Sequence, residues 1–429
     1  MKVAIYTLGC KVNQYETQAL ERELLRRGHT LTDFSDSADA YIVNTCTVTA
    51  VSDKKSRNLI RRAKKQSPDA VIAVCGCYAQ TDPTAVTALG VDVVSGTAGR
   101  MAFLDLLEQA AAERGVQLVS VDDAMKRRVF EPLEAGGLEG RTRALLKVED
   151  GCVNFCSYCI IPYARGPIRS LPLDQAVEQA KSLEAQGYRE IVITGIEISS
   201  WGVEWRNGSS LIDLMEAICA AVPDLRIRLG SLEPRTITED FCRRASVLPN
   251  LCPHFHLSMQ SGCDATLKRM NRKYDTARYY ESVELLRKWF DRPAITTDLI
   301  VGFPQETEEE FSDTLAFLEK CRFSSMHIFP YSRRPGTPAA AMAGQLSNDD
   351  KESRAHRAAE VAGRLEQEYL QSLVGSTLPV LFEEEKDGLW RGHAPNYVAV
   401  LAQGNDLHNV LKDVRITGVA GSALTGELI

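Results

Sequence analysis

Residues 144–159 read Ala-Leu-Leu-Lys-Val-Glu-Asp-Gly-Cys-Val-Asn-Phe-Cys-Ser-Tyr-Cys, a short apolar run followed by three cysteines spaced CxxxCxxC. The run predicts a buried strand and places the cysteines on the loop that follows it. Three thiolates this close can bind three irons of a [4Fe–4S] cube and leave the fourth iron without a protein ligand. A zinc site that lacks its fourth ligand is the alternative interpretation.

The chain continues from this loop as a regular alternation of strand and helix patterns. Predicted strands are 144–148, 190–194, 226–229, 254–258, 295–301 and 325–329, and predicted helices are 174–186, 211–221, 236–247, 276–290, 306–320 and 348–373. Six βα units over roughly 190 residues predict a partial (βα)6 barrel, open on one side. The cysteine loop would then lie at the C-terminal end of the first strand, where such barrels carry their catalytic residues.

The segments on either side of the barrel have different patterns. Before it, predicted strands 2–7, 40–45, 70–75 and 91–95 alternate with helices 13–27 and 52–66, which indicates an α/β domain with a doubly wound parallel sheet. After residue 377, short strands and turns predict a small OB-like β-barrel of five strands. The expected domains are 1–122, 140–368 and 371–429, with a charged linker at 122–143 that contains GGLEG.

A second group of cysteines follows the strands of the N-terminal sheet. Cys10, Cys46 and Cys77 each stand just after a predicted strand. Because adjacent parallel strands end at one edge of a sheet, these thiols are expected to meet there. Cys75 lies inside an apolar run and is interpreted as a small buried hydrophobe. The remaining cysteines show no pairing pattern and are expected to be core or surface thiols: 219, 242, 252, 263 and 321.

The composition excludes several classes of protein. Twelve cysteines in 429 residues, about 3%, are far too few for a disulfide scaffold. No apolar stretch approaches the roughly 20 residues of a membrane-spanning helix. The first ten residues lack the features of a signal peptide, so a cytoplasmic protein without a membrane partner is expected.

The CxxxCxxC loop on a (βα)6 barrel resembles the radical S-adenosylmethionine (SAM) superfamily. The resemblance implies that Cys152, Cys156 and Cys159 hold a [4Fe–4S] cluster whose open iron binds SAM for reductive cleavage. It also implies SAM contacts, for each of which barrel packing or a turn is an equally good explanation. These are Tyr158, Gly195, Glu197, Ser231, Asp298 and Gly302, although Gly195 and Glu197 stand in Thr-Gly-Ile-Glu where the superfamily usually has Gly-Gly-Glu.

The two cysteine triads, in this order along the chain, resemble the methylthiotransferases over essentially the whole sequence. That family joins an N-terminal domain with an auxiliary [4Fe–4S] cluster, a radical SAM barrel and a C-terminal RNA-binding TRAM domain. The auxiliary ligands would be Cys10, Cys46 and Cys77. Four motifs resemble the MtaB branch, namely TLGCKVNQYE (7–16), GCYAQ (76–80), HLSMQSGCD (256–264) and KRMNRKY (268–274), whereas EISSW (197–201) departs from it.

This resemblance implies a transferase that places a methylthio group on C2 of N6-threonylcarbamoyladenosine at position 37, next to the tRNA anticodon. Its cofactors would be two [4Fe–4S] clusters and SAM. Its partners would be the anticodon stem-loop, an electron donor such as flavodoxin or ferredoxin, and a sulfur source. Alternatives are the same chemistry on N6-isopentenyladenosine or on an Asp of a ribosomal protein, and a non-catalytic iron–sulfur RNA-binding protein.

The charge distribution bears on RNA binding. The net charge is −7, but residues 51–66 carry seven basic side chains against Asp53, a local +6 that indicates either a solvated helix face or a phosphate contact. Expected RNA contacts are Lys54, Lys55, Arg57, Arg61, Arg165, Arg169, Arg272, Arg333 and Tyr397. In the acidic last domain, stacking and hydrogen bonds would dominate, through Trp390, Arg391, His393, Asn396 and Tyr397.

Overall fold

The computed structural model describes residues 1–134, 136 and 141–429. The linker motif GGLEG (136–140), apart from its first residue, and the expected domain start at residue 140 lie outside the described residues. No helix in the described part is long and apolar enough to cross a membrane.

A six-stranded parallel sheet forms the first part of the chain, in the order β2-β1-β3-β4-β5-β6. Its elements are β1 (Lys2–Thr7), α1 (Lys11–Arg26), β2 (Thr30–Thr32), β3 (Ala40–Thr45), α2 (Ala50–Gln66), β4 (Val71–Gly76), α3 (Cys77–Thr81), α4 (Pro83–Thr87), β5 (Val93–Ser95), α5 (Arg100–Ala112) and β6 (Leu118–Ser120). Central strands β3 and β4 are buried throughout. The doubly wound sheet is confirmed, but the sequence missed β2 and β6, because three residues are too few to show a pattern.

The second part is a partial barrel of parallel strands. It contains β7 (Arg143–Lys147), β8 (Glu149–Asp150), α6 (Ile161–Arg165), β9 (Arg169–Ser170), α7 (Leu173–Ala185), β10 (Glu190–Thr194), α8 (Leu211–Ala221), β11 (Arg226–Leu229), β12 (Ser231–Leu232), α9 (Glu239–Ala245), β13 (His254–Leu257), α10 (Asp264–Arg269), α11 (Thr276–Trp289), β14 (Ala294–Val301), α12 (Glu308–Cys321), β15 (Ser325–Pro330), α13 (Pro338–Ala341) and α14 (Asn348–Ser372).

The barrel strands form two sheets, β11-β10-β7 and β12-β13-β14-β15, which are joined through Gly230. β7 and β15 are the two outer strands, so the open six-unit barrel is confirmed. The short antiparallel ribbon of β8 and β9 was not expected. Helix α9 begins at residue 239 rather than 236, because Thr238 caps it by accepting a hydrogen bond from the Phe241 amide.

The last part is a closed barrel of five strands, as the sequence predicted. Its strands are β16 (Thr377–Lys386), β17 (Leu389–His393), β18 (Ala399–Ala402), β19 (Leu411–Ala420) and β20 (Ala423–Leu428), in the order β16-β17-β18-β20-β19. Leu370 and Leu373, at the end of α14, belong to its hydrophobic core. The small barrel is therefore anchored to the helix that closes the larger one.

Arginines of β11 connect the two barrels. The Arg228 guanidinium donates to the Pro395 carbonyl at 2.7 Å, and that of Arg226 donates to the His393 carbonyl at 3.1 Å. Both also bind the buried carboxylate of Glu190. Burial alone would raise the pKa of Glu190, but Arg228 and Arg226 outweigh it and lower the pKa to about 2. This carboxylate therefore holds the arginines in position for the small barrel.

Glu190→Gln is expected to reduce the free energy of unfolding by about 3–5 kcal/mol at pH 7, because it leaves two buried cations without a counter-charge. Since the folded-state pKa lies below the ordinary 4.5, Glu190 stabilises the fold above pH 4.5 and loses this effect as the pH falls towards 2. Urea unfolding of the wild type and of Glu190→Gln across this pH range should show that the difference between their free energies of unfolding becomes smaller as the pH falls. Glu178→Gln, which breaks an exposed pair with Lys181, serves as control. A difference in unfolding free energy that does not depend on pH would contradict the role of Glu190.

Candidate functional site

The first cysteine triad lies at one edge of the N-terminal sheet. Cys10 precedes α1, Cys46 follows β3 and Cys77 begins α3 after β4, and these three strands are neighbours. Gly9 has φ +106°, and a Cβ there would lie 2.9 Å from the Cys46 Cβ, so the Cys10 loop passes directly over Cys46. Burial raises the pKa of the Cys77 thiol to about 12, and the neighbouring Cys10 and Cys46 contribute to the increase. The structure therefore brings these thiols together.

The second triad lies on the loop after β7 and β8. Gly151, at φ +97°, allows this loop to turn, since a Cβ there would lie 2.1 Å from the Pro167 carbonyl oxygen. The Cys152 sulfur accepts a hydrogen bond from the Asn154 amide at 3.5 Å, and the Cys156 sulfur accepts one from Arg272 Nη1 at 3.2 Å. These donors stabilise thiolate charge, which is what metal binding requires of cysteine.

Both triads fit an iron–sulfur cluster. Within the described ranges, no three Cys, His, Asp or Glu side chains are close enough to share a single metal ion, whereas a cluster offers a separate iron to each of three sulfurs. Burial raises the pKa of Cys159 to about 12 and that of Cys152 further. Cysteine binds a metal as the thiolate, so a cluster at these sulfurs would displace their protons.

The buried carboxylate of Glu16 binds residues from both parts of the chain that carry the triads. Glu16 of α1 accepts hydrogen bonds from Arg100 at 2.7 Å, from Lys147 at 3.2 Å and from Arg165. Lys147 and Arg165 also pair with Asp150, just before the second cysteine loop. Burial would raise the pKa of Glu16, but Arg100, Arg165 and Lys147 hold it well below its usual range. The sheet edge and the barrel loop are thus held in one orientation.

The expected SAM contacts lie in two places. Glu197 and Tyr158 are close to the second triad; Asn154 Nδ2 is 3.4 Å from Glu197 Oε2, and the Tyr158 ring packs edge-on against Phe303. Burial, with the charge of Glu233, raises the pKa of Glu197 to about 7. Glu197 Oε1 is buried and accepts no hydrogen bond from the described residues, which leaves an acceptor for a ligand ammonium group.

Three further expected contacts, Gly195, Ser231 and Asp298, line a central cavity. Gly302 does not line it. Its amide donates to Glu306 Oε2 at 2.7 Å, and a Cβ would lie 2.4 Å from Lys351 Cγ, so the turn has no room for a side chain and the SAM contact of Gly302 stays a prediction.

The central cavity has a volume of about 510 Å³, the size of a small-molecule site. All three parts of the chain contribute to its wall: Cys10 and Lys11; Thr194, Gly195, Ser231, His254, His256, Thr296, Asp298, Ser324, Ser325 and His327; and Arg391, His393, Asn396 and Tyr397, among others. Arg228 lies over the Tyr397 ring, 4.6 Å from its centre. The cavity therefore connects the first triad with the interior of the barrel.

Sequence reasoning missed several residues of this cavity, above all Lys11 and His254. Burial, followed by the charges of Arg228 and Arg143, lowers the pKa of Lys11. Burial and Arg228 likewise hold the pKa of His254 well below 6.5, so its ring is neutral. Only the position of Lys11 directly after Cys10 could have indicated the site.

The basic helix α2 presents an exposed face that includes Lys54, Lys55 and Arg61. Arg57 is half-buried and donates to the Tyr78 hydroxyl at 3.2 Å. The acid of this helix, Asp53, is paired with Arg334 of the barrel at 2.7 Å, which leaves the basic charges uncompensated. This arrangement suits a phosphate-binding surface.

Three other expected RNA contacts are corrected. Arg165 and Arg169 are buried, because they neutralise Asp150. Arg272 points at the Cys156 sulfur and the Ser258 carbonyl rather than at solvent.

The remaining candidates for RNA contact differ in exposure. Arg333 is exposed. In the small barrel, Trp390 is buried, whereas Arg391, His393, Tyr397 and the buried Asn396 line the central cavity.

Comparisons with known proteins match this arrangement. Residues 2–96 match the profile of uncharacterized protein family UPF0004, and residues 146–318 match the radical SAM superfamily. Threonylcarbamoyladenosine tRNA methylthiotransferase MtaB of Bacillus subtilis is 41% identical, covering 94% of this chain and 91% of its own. tRNA-2-methylthio-N(6)-dimethylallyladenosine synthase of Acetivibrio thermocellus is 34% identical (99% and 90%). The radical SAM methyltransferase TsrM of Kitasatospora setae has a similar fold, with TM-score 0.58 and 18% identity over 79% of this chain and 75% of TsrM.

Glu16→Gln is expected to cost about 3–5 kcal/mol of unfolding free energy, because Arg100 and Arg165 would remain buried beside a neutral amide. In metal-free protein, Cys77 and Cys159 should also be alkylated faster, since the contact between sheet edge and barrel is loosened. Glu23→Gln on the same helix, which breaks pairs with the neighbouring Arg26 and Arg27, should change stability by less than about 1 kcal/mol. Equal effects of the two substitutions would contradict the role of Glu16.

Proposed function

The chain belongs to the radical SAM tRNA methylthiotransferases, and we propose that it acts on N6-threonylcarbamoyladenosine at position 37, adding a methylthio group to C2. The observation that carries this proposal is the 41% identity to the B. subtilis enzyme named for that nucleoside, over 94% of the chain. Relatives from Aquifex aeolicus and Thermotoga maritima with the same name, at 36% and 38%, support it. N6-isopentenyladenosine is the second candidate, because the A. thermocellus synthase is 34% identical.

In this proposal the chain holds two [4Fe–4S] clusters, one on Cys152, Cys156 and Cys159 and one on Cys10, Cys46 and Cys77. The two clusters and SAM would supply what side chains cannot, namely a radical for an unactivated C–H bond and a sulfur atom for transfer. The chain's own residues position and shield them. Arg272 and the Asn154 amide donate hydrogen bonds to the barrel cysteines, and Glu197 Oε1 would accept the SAM ammonium group.

The RNA would reach the cavity from the side of α2. That helix begins just after Cys46, and its Ala50 amide donates to Ser332 beyond β15. Lys54, Lys55 and Arg61 would contact phosphates, while the target base leaves its stack to enter the cavity. Residues 1–122, 140–368 and 371–429 would act as cluster, radical and RNA-binding TRAM domains, and Arg391 of the last would contact the RNA at the cavity wall.

Anaerobic reconstitution is expected to load about eight irons per chain, four in each cluster. Replacing Cys10, Cys46 and Cys77 together by Ala should leave about four, measured by iron assay and absorbance. Cys75→Ala is the matched control, because Cys75 is buried in a hydrophobic core of the same sheet and this variant should retain about eight irons.

The triple variant should still cleave SAM under reduction but should produce no methylthiolated nucleoside. Four irons in the wild-type chain, or loss of SAM cleavage in a folded triple variant, would contradict the two-cluster assignment.

The substrate is tested by expressing the chain in a bacterium from which its own methylthiotransferases have been deleted. Mass spectrometry of tRNA nucleosides should then show 2-methylthio-N6-threonylcarbamoyladenosine. An inactive Cys152→Ala chain is the control. Formation of only the 2-methylthio-isopentenyl nucleoside would favour the second candidate.

A further inference from the structure

Lys11 lies at the wall of the central cavity and forms no ion pair with any residue that the structure describes. It follows Cys10 directly and begins α1, and it lines both the central cavity and an adjoining one of about 470 Å³. In the part of the chain that the structure describes, its ammonium group makes no hydrogen bond and no ion pair. A long cationic side chain at a cavity wall is therefore free to bind a ligand.

Two acids near Lys11 already have other partners. Glu190 is shared by Arg226 and Arg228, and Asp298 lies 3.3 Å from His256 Nε2. The charge of Lys11 is thus a surplus in this part of the cavity, where an anion would be stabilised.

A second unpaired group lies on the same wall. The His254 ring is buried, its centre lies 5.2 Å from that of the tilted Tyr397 ring, and its Nδ1 has no hydrogen-bond partner among the described residues. A buried polar atom without a partner is costly, so a ligand that pairs with it gains affinity. Cation and ring nitrogen together suit a ligand that carries both a negative charge and hydrogen-bonding groups.

The N6-threonylcarbamoyl group has this chemistry, since it carries a carboxylate next to a urea-like linkage. We propose that Lys11 binds the threonyl carboxylate of the target nucleoside and thereby selects it over adenosines with apolar substituents. This inference rests on the proposed function and names the residue that recognises the substrate. A site built around a charged contact strongly rejects analogues that lack the charge, because its own cation then stays unpaired.

The test measures the affinity of the cluster-loaded protein for labelled anticodon stem-loops by fluorescence anisotropy. One loop carries N6-threonylcarbamoyladenosine, and a second carries the same nucleoside with its carboxylate converted to a neutral methylamide. The wild type should bind the first loop about tenfold to a hundredfold more tightly, as expected for a hydrogen bond to a charged group. Lys11→Gln should bind both loops equally, and Lys11→Arg should keep part of the preference.

Two controls separate Lys11 from general RNA contacts. Lys181→Gln, on the outer helix α7, should change neither affinity. Lys54→Gln should weaken both loops alike, because phosphates are the same in each. Iron content is measured for every variant, since Lys11 adjoins a proposed ligand.

Three results would overturn the inference: equal wild-type affinities for the two loops, an unchanged preference in iron-loaded Lys11→Gln, or an equal loss for both loops, which would indicate a phosphate contact. The comparison of the two loops on the wild type needs no variant, so equal affinities would overturn the inference even if Lys11→Gln fails to load iron. Failure of the proposed function is distinguishable, because the wild type would then not methylthiolate the threonylcarbamoyl loop at all.

Discussion

The arrangement of the molecule depends on one buried carboxylate. Glu16 binds cations from α5, β7 and α6, so a single charge on α1 joins the N-terminal sheet to the barrel. An unpaired charge in this position would cost several kcal/mol, and only one relative orientation of the two parts supplies all the partners. Because Cys10 precedes α1 and the second cysteine loop lies between β8 and α6, this orientation also sets the two triads relative to each other.

A second buried carboxylate, Glu190, helps to connect the large barrel to the small one. Glu190 holds Arg226 and Arg228, which donate to carbonyls of the small barrel. The central cavity is thus enclosed by parts of the chain far apart in sequence, each fixed by a buried ion pair. Its wall combines histidine, serine and threonine side chains with the apolar Leu229, Leu370 and Val398.

Local pattern and spacing predicted most of the fold. The six barrel strands were found because each is a short apolar run bounded by helical patterns, and the C-terminal barrel because its strands alternate with turns. The cysteine triads were recognisable for a related reason, since strand ends of a parallel sheet converge wherever the strands are neighbours. The corrected assignments, Arg165, Arg169 and Arg272, share one cause: a basic residue near a predicted loop looks the same whether it faces solvent or a buried acid.

The amino-acid sequence was therefore sufficient for the order of the three parts of the chain, for the two groups of cysteines and for the family. Only the folded chain shows which charges are already neutralised. Asp53 does not neutralise the basic face of α2, because it is paired with Arg334. Lys11, in contrast, forms no ion pair with any described residue, although charged groups surround it. The physical reason is that an ion pair such as Asp53–Arg334 joins residues far apart in the sequence. Periodicity and motif spacing report only on near neighbours and contain no information about such pairs.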